Sequence, residues 1–201
     1  MIVIDGVVGV GKSTLMNILA EELKMVKFEE PVVENPILPK FYENRKRYAF
    51  PSQVFFLNSR FAHLKEAGKI EDCILDRSIY GDAIFAKMLY KSGDMTSEEF
   101  AIYEELLENM IDHIKEPKLM IYLEVSVDEA MRRIKKRGRD FEQKVEREYW
   151  ESLNQEYKSY FDNYNLSPIL KINVDNIDFE NNKEDKQKVL SLIKNRLNDL
   201  K

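Results

Sequence analysis

The feature that most constrains the fold of this 201-residue chain is the stretch GVVGVGKST at residues 6–14. It satisfies the pattern G-x-x-x-x-G-K-[ST], in which backbone N–H groups turn inward around phosphate oxygens. An apolar run at residues 2–4 precedes it and a helical pattern follows it, which is the context that the pattern requires. We therefore predict a phosphate loop at a helix N-terminus, where the dipole favours an anion.

Within this phosphate loop, Lys12 is expected to contact the outer phosphates, and the Ser13 hydroxyl to help bind Mg²⁺. The alternative is an ordinary glycine-rich turn with an exposed lysine, but the strand and helix on either side argue against it. The residues predicted to bind the donor nucleotide here are Gly6, Val7, Val8, Gly9, Val10, Gly11, Lys12, Ser13 and Thr14.

Short apolar runs alternate with long amphipathic stretches along the rest of the chain. This alternation predicts an α/β fold, with a parallel sheet flanked by helices, in a single domain over residues 1–201. The predicted strands lie at 2–4, 26–28, 73–75, 119–125 and 169–174, of which 26–28 is the weakest. The predicted helices lie near 12–24, 52–67, 80–92, 97–115, 127–137, 146–163 and 184–200.

Composition excludes several classes of protein. A formal net charge of -5 argues against a protein devoted to a nucleic acid polymer. The single cysteine, Cys73, rules out an internal disulfide and fits a reducing compartment. No stretch approaches the ~20 apolar residues that span a membrane. We expect a cytoplasmic protein that does not associate with a membrane.

A GTPase would need D-x-x-G after one strand and N-K-x-D at the end of another. The first pattern does not occur, and the second occurs only as NKED at residues 182–185, in a polar loop that enters the last helix. We interpret this match as chance.

A basic cluster, RRIKKRGR, spans residues 132–139. Arg133 and Arg137 are four apart on one helical face, and Gly138 leaves the chain free to fold Arg139 over a ligand. Arginine can hold phosphate oxygens in pairs, so these three predict a closing lid at about 133–145. Lys135 and Lys136 are better explained as a solvated helix end, where the dipole favours cations.

Two carboxylates follow predicted strands. Glu30 comes after 26–28, before Pro31, which holds the local chain extended, and Asp76 comes after 73–75. The carboxyl ends of parallel strands face the ligand crevice, so both side chains should lie near the phosphate loop. A carboxylate there can accept a proton or hold a metal, while Arg77 can hold a phosphate.

The helix predicted after Pro51 carries Gln53, Phe56 and Arg60 at spacings of three and four, on one face. A flat base could stack on the ring and be read by the amide and the guanidinium. From these residues alone the alternative, in which Phe56 is core and Arg60 pairs with a surface acid, stands equal. The neighbouring stripe at 54, 57, 61 and 64 is expected to pack the core.

The sequence resembles the deoxynucleoside kinases, in the group of deoxycytidine, deoxyguanosine and bacterial deoxyadenosine kinases. The similarity covers nearly the whole chain and is greatest to the bacterial deoxyadenosine/deoxyguanosine kinases. It rests on GVVGVGKS, EEPVVENP, FYENRKRYAFPSQVFFLNSR, DRSIYGDAIFAKMLYKSG and RRIKKRGRDFEQ. It implies a five-stranded parallel sheet, transfer of the ATP γ-phosphate to the 5′-hydroxyl of a deoxynucleoside for DNA-precursor salvage, and a homodimer, with a heteromer as the alternative.

Site roles follow from the resemblance position by position. The implied catalytic residues are Glu30, as the base on the 5′-hydroxyl, with Arg77 and Lys12. The implied nucleoside contacts are Glu30, Tyr42, Gln53, Phe56, Arg60, Arg77, Asp82 and Glu142, of which Tyr42 and Glu142 hold the sugar 3′-hydroxyl. The implied donor contacts beyond the phosphate loop are Arg133, Arg137, Arg139, Asp178 and Phe179. The implied metal ligands are Ser13 and Asp76.

Two residues depart from the animal enzymes of this family. Asp76 stands where most of them have Glu, so that a metal contact through water is as plausible as direct ligation. Phe56 replaces a small residue of the deoxycytidine enzyme, which argues against a pyrimidine preference. The Arg60 and Asp82 pair could serve adenine, guanine after rearrangement, or cytosine, and serves thymine poorly. We therefore expect deoxyadenosine first, with deoxyguanosine or deoxycytidine second.

Two rival functions remain open at this point. A thymidylate-like nucleoside monophosphate kinase would share the phosphate loop, the D-R motif and the arginine lid, but it needs an additional cation for the acceptor's phosphate. A non-enzymatic nucleotide-binding module would need no catalytic base.

Overall fold

The computed structural model describes residues 1–30, 35–143 and 145–200. Five parallel strands form one sheet in the order β2-β3-β1-β4-β5. The strands are β1 (Ile2–Gly6), β2 (Val26–Phe28), β3 (Cys73–Asp76), β4 (Leu119–Glu124) and β5 (Ile169–Asn173). The predicted five-stranded parallel sheet is confirmed, and the weak strand at 26–28 is its edge.

The central strand β1 is buried along its whole length and pairs with β3 and β4. A strand covered on both faces is apolar throughout, which explains the continuous run at 2–4. The register places Gly6 opposite Leu123 and Ile4 opposite Asp76. The phosphate loop and Asp76 therefore lie side by side at the carboxyl ends of the neighbouring strands β1 and β3.

Nine α-helices surround the sheet in the described residues. They are α1 (Lys12–Leu23), α2 (Leu38–Glu43), α3 (Arg45–Ala67), α4 (Asp82–Lys91), α5 (Ser97–Ile111), α6 (Val127–Arg137), α7 (Asp140–Gln143), α8 (Arg147–Asp162) and α9 (Lys183–Asn198). A short 3₁₀ turn, Ile79–Gly81, leads into α4.

The start of α3 differs from the prediction. A helix was expected from residue 52, because proline ends or begins helices in most sequences, but α3 starts at Arg45 and contains Pro51. Its true start is set by Asn44, whose side chain accepts a hydrogen bond from the Arg47 N–H. The helices α2 and α7 were not predicted, since six and four residues are too short to show a period.

Four further sequence expectations concern Cys73, the NKED match, the conformation at Pro31 and membrane-spanning helices. Cys73 is buried and free. The NKED match does not end a strand: Asn182 caps α9 by accepting hydrogen bonds from Glu184 N and Asp185 N. The extended conformation expected at Pro31 lies outside the described residues. None of the helices described here is both long and apolar enough to cross a membrane.

Candidate active site

The phosphate loop joins β1 to α1 through glycines with positive φ. Gly9 and Gly11 have φ of 82° and 105°, in the left-handed region that other residues adopt only at a cost. A Cβ on Gly11 would lie 2.8 Å from the Phe179 ring, and one on Gly6 would lie 2.6 Å from the Leu123 carbonyl oxygen. Both the backbone conformation and the close neighbours therefore require glycine.

Lys12 begins α1 and folds back over the loop. Its ammonium donates hydrogen bonds to Gly6 O at 3.0 Å and Val7 O at 2.9 Å. Burial, and next the charge of Arg77, lower its pKa to about 8. The lysine is thus held beside the loop that the sequence assigned to phosphates.

Ser13 and Asp76 meet at the edge of the sheet. The Ser13 hydroxyl donates a hydrogen bond to Asp76 Oδ2, whereas Asp76 Oδ1 is buried with no partner among the residues described. Burial raises the pKa of Asp76. The predicted metal pair is therefore adjacent.

Above the sheet edge lies a cavity of about 730 Å³. Of the predicted site residues, five lie behind its wall: Gly6, Val7, Val10, Asp76 and Asp82. The others line it: Val8, Gly9, Gly11, Lys12, Ser13, Thr14, Glu30, Tyr42, Gln53, Phe56, Arg60, Arg77, Arg133, Arg137, Arg139, Glu142, Asp178 and Phe179.

Four charged side chains meet in one buried group, which we name the acceptor cluster: Glu30, Arg60, Arg77 and Asp82. Arg60 Nη2 donates to Glu30 Oε1 at 2.5 Å and Arg60 Nη1 donates to Asp82 Oδ1. Arg77 Nε lies 3.2 Å from the same Glu30 oxygen. These contacts join the end of β2, α3, the segment after β3 and α4.

The two carboxylates of the acceptor cluster are shifted in opposite directions. Burial by itself raises the pKa of Glu30, but the guanidinium groups of Arg77 and Arg60 together outweigh burial. The pKa of Glu30 is therefore lowered from 4.5 to about 2. For Asp82 burial outweighs the charge of Arg60 and raises the pKa to about 7. Glu30 is therefore a carboxylate at neutral pH, facing the cavity.

The face of α3 predicted to meet a base does line the cavity. Gln53, Phe56 and Arg60 are buried there, and the Arg60 guanidinium carbon lies 4.8 Å from the centre of the Phe56 ring. The alternative, in which Arg60 pairs with a surface acid, is wrong, because its partners are Glu30 and the buried Asp82. No described residue hydrogen-bonds the Gln53 amide.

The lid arginines are held by ion pairs and carbonyl groups. Arg137 and Arg139 both lie against Glu142, at 2.5 and 3.4 Å. Gly138 has φ of 75°, which turns the chain as predicted between α6 and α7. Arg133 instead reaches inward, donating to Val10 O at 2.9 Å and to Val174 O at 2.6 Å. It thereby connects the phosphate loop to the segment after β5.

That segment carries Asp178 and Phe179. The Asp178 carboxylate accepts hydrogen bonds from Glu180 N and Asn181 N and so shapes the turn before α9. Phe179 is buried against Gly11. Tyr42, on α2, packs edge-on against Phe41 and Tyr149, whose ring centres lie 5.1 and 6.5 Å away.

Comparison with known proteins adds the decisive observation. The model of the family described as "Deoxynucleoside kinase" matches residues 2–198. This chain belongs to the deoxynucleoside kinase family. It is therefore a phosphotransferase that phosphorylates the 5′-hydroxyl of a deoxynucleoside. Membership decides against both rivals, the nucleoside monophosphate kinase and the non-enzymatic module.

Two similar curated proteins are named for purine deoxynucleosides. A deoxyguanosine kinase of Lactobacillus johnsonii is 42% identical and covers 100% of this chain and 93% of its own. A deoxyadenosine kinase of Lactobacillus acidophilus is 41% identical, with coverages of 100% and 97%. A solved deoxyadenosine kinase of M. mycoides, bound to dCMP and dCDP, superimposes with a TM-score of 0.85, 35% identity and 98% coverage of each chain.

Several residues of this kinase site escaped the sequence prediction. Phe85 lies under Arg77, with 5.0 Å between the guanidinium carbon and the ring centre, and Tyr149 lines the cavity beside Tyr42. Phe85 follows Asp82 by three residues on α4, a spacing that could have revealed it. Two further buried residues, Asp5 and Tyr157, contact Arg77 from behind the cavity wall. For Asp5 the only signal was a charge at the end of an apolar run.

Proposed function

We propose that the kinase uses ATP to phosphorylate deoxyadenosine preferentially, with deoxyguanosine or deoxycytidine as secondary substrates. The observation that carries this proposal is the buried Gln53 amide, which faces the cavity beside Phe56 and Arg60 and has no hydrogen-bond partner among the described residues. An amide can accept from the exocyclic amine of adenine and donate to a ring nitrogen. Arg60, held by Asp82, adds a second donor. Thymine, with two carbonyl acceptors, fits this set less well.

The proposed reaction is an in-line transfer. Glu30 accepts the proton of the 5′-hydroxyl while the oxygen of that hydroxyl bonds to the γ-phosphorus, and the bond from that phosphorus to the bridging oxygen breaks to leave ADP. Arg77 holds the transferring group, and Lys12 and the phosphate loop hold the outer phosphates. The ionised state of Glu30 and its place in the cavity wall support this role.

The remaining contacts follow the same geometry. Arg133, Arg137, Arg139 and Glu142 form the lid with the segment 133–145, and Asp178 and Phe179 border the donor's adenine. We place the sugar 3′-hydroxyl between Tyr42 and Glu142. Both side chains line the cavity, and Glu142 is buried with its two oxygens directed at lid arginines.

The donor set at Ser13 and Asp76 fits Mg²⁺. Magnesium prefers oxygen ligands, and a buried carboxylate oxygen without a described partner stands beside a serine hydroxyl. When bound, the ion would neutralise charge on the β- and γ-phosphates. The role of the chain's own residues is to hold these two oxygens next to the phosphate loop.

We also propose a homodimeric assembly and a cytoplasmic location. Two exposed apolar side chains, Tyr90 on α4 and Ile102 on α5, which are 42% and 50% exposed, support a homodimer of single-domain subunits. The free, buried Cys73 is consistent with the cytoplasm. Light scattering of the purified protein measures the mass, and a monomeric mass would contradict the dimer.

The test of function is ADP release with deoxyadenosine, deoxyguanosine, deoxycytidine, thymidine, dAMP and dTMP at equal concentration. We expect deoxyadenosine to be fastest and the monophosphates to give no acceleration. Thymidine exceeding every purine deoxynucleoside would refute the preference. Gln53→Leu should lower kcat/KM for deoxyadenosine by about a hundredfold, since a polar base edge loses its partner. Gln155→Leu, at an exposed position on α8, is the matched control.

A further inference from the structure

Arg77 is the most constrained residue of the acceptor cluster. Its φ is 67°, in the left-handed region, where a non-glycine residue persists only if its surroundings hold it. Its N–H donates to Ile4 O at 2.9 Å, which ties the strained residue to the central strand. The backbone alone does not orient the guanidinium, however, because several side-chain bonds separate the two.

The guanidinium is held by Tyr157, which reaches it from α8. Arg77 Nη1 donates a hydrogen bond to the Tyr157 hydroxyl, and the Tyr157 hydroxyl donates to Asp5 Oδ1 at 3.3 Å. The same Asp5 oxygen accepts the N–H of Gly6 at 2.7 Å. A continuous chain of hydrogen bonds thus runs from the acceptor cluster to the first glycine of the phosphate loop.

The surroundings of Tyr157 leave it little freedom. It is fully buried, and its ring packs edge-on against Phe85 with 5.8 Å between centres and stacks on Phe161 at 6.1 Å. Asp5 is equally confined, since a Cβ on Gly81 would lie 2.3 Å from its Oδ2. The packing of the Tyr157 ring and the confined Asp5 carboxylate therefore hold the Tyr157 hydroxyl in place. The hydroxyl in turn orients one edge of the Arg77 guanidinium.

We infer that Tyr157 is a positioning residue: its hydroxyl orients the Arg77 guanidinium on the transferring phosphoryl group and couples it to the phosphate loop through Asp5. It does not line the cavity and so acts through Arg77. This inference rests on the role proposed above for Arg77. Misplacing a charge that stabilises the transition state lowers kcat more than it weakens substrate binding in the ground state. The expected signature of this role is therefore a loss in kcat with little change in KM.

Tyr157→Phe keeps the ring and removes only the hydroxyl. We expect kcat to fall about tenfold, with KM for ATP and deoxyadenosine changed less than about twofold. The matched control is Tyr160→Phe. Tyr160 lies on the same helix, and its hydroxyl donates to Tyr80 O, so Tyr160→Phe also removes one hydrogen bond to the segment after β3, but this bond does not reach the acceptor cluster. Its kcat should stay near that of the parent.

A double-mutant cycle with Arg77→Lys separates the two proposals. If Tyr157 acts through Arg77, Tyr157→Phe should cost less than about twofold in kcat in the Arg77→Lys background. Equal losses in both backgrounds, an unchanged kcat in Tyr157→Phe, or an equal loss in Tyr160→Phe would overturn the inference. So would a Tyr157→Phe protein that fails to fold beside a folded Tyr160→Phe. Normal kcat in Arg77→Lys alone would instead refute the role proposed for Arg77.

Discussion

The two halves of the cavity are built by different means. The phosphate loop is one continuous segment, whose shape depends on glycine backbone angles at Gly9 and Gly11. The acceptor cluster collects side chains from four separate segments and is held by ion pairs. The loop should therefore be sensitive to any added side chain, whereas the cluster should be sensitive to any change of charge.

The largest effect is expected in the acceptor cluster, from Glu30→Gln. The amide keeps the shape but cannot accept the hydroxyl proton, so kcat should fall by about 10²–10⁴-fold while ATP affinity is retained. Steady-state kinetics and ATP titration measure the two quantities. Glu29→Gln, the exposed neighbouring residue, is the control. Near-normal turnover in Glu30→Gln would show that the base is elsewhere.

Lys12→Ala tests the phosphate loop by charge. Removing the ammonium should lower kcat/KM for ATP by about 10²–10³-fold, because a preorganised cation at the outer phosphates is lost. The affinity for deoxyadenosine, measured by equilibrium binding, should change little. Lys69→Ala, at an exposed site, controls for the substitution. A loss confined to the nucleoside would contradict the division into halves.

Gly11→Ala tests the phosphate loop by shape. The added methyl group would lie 2.8 Å from the Phe179 ring. The backbone at this position also has a φ of 105°, which alanine rarely adopts. Gly138→Ala has a similar φ of 75°, but no atom of the described residues lies within 4 Å of the added methyl group. Denaturant unfolding should show a loss of about 1–2 kcal/mol for Gly138→Ala, from the left-handed backbone alone, and a clearly larger loss for Gly11→Ala. Equal losses would mean that the neighbouring Phe179 yields without cost.

The smallest effect concerns pH. Since its surroundings lower the Glu30 pKa from 4.5 to about 2, the folded protein holds fewer protons than the unfolded chain between these values. The stability contributed by this group is full above pH 4.5 and is lost as pH falls toward 2. The unfolding free energy should therefore drop more between pH 5 and pH 3 in the parent than in Glu30→Gln. An equal drop would deny Glu30 its shifted pKa.

The contrast between the halves also explains what could be predicted from the sequence. The phosphate loop is local, so nine adjacent residues identify it. Glu30 and Asp76 were found because strand ends gather at one sheet edge. The pairing of Arg60 with Asp82, 22 residues away, followed from the family resemblance and not from a pattern in the residues, and the contact of Tyr157 with Arg77, 80 residues away, was not predicted, because both depend on how helices pack. Periodicity indicates which face of a helix is buried but not which hydroxyl meets which guanidinium.

Glu142 gives the lid a further property. An enzyme that grips its donor must also release the spent one. Because Glu142 already pairs with Arg137 and Arg139, donor phosphates held by these arginines as proposed would gain only the difference between two sets of ion pairs. On departure of the product, the same carboxylate would be free to pair with both guanidinium groups again. Under the proposed lid role, this internal anion would therefore weaken the hold of the two arginines on ADP as well as on the donor.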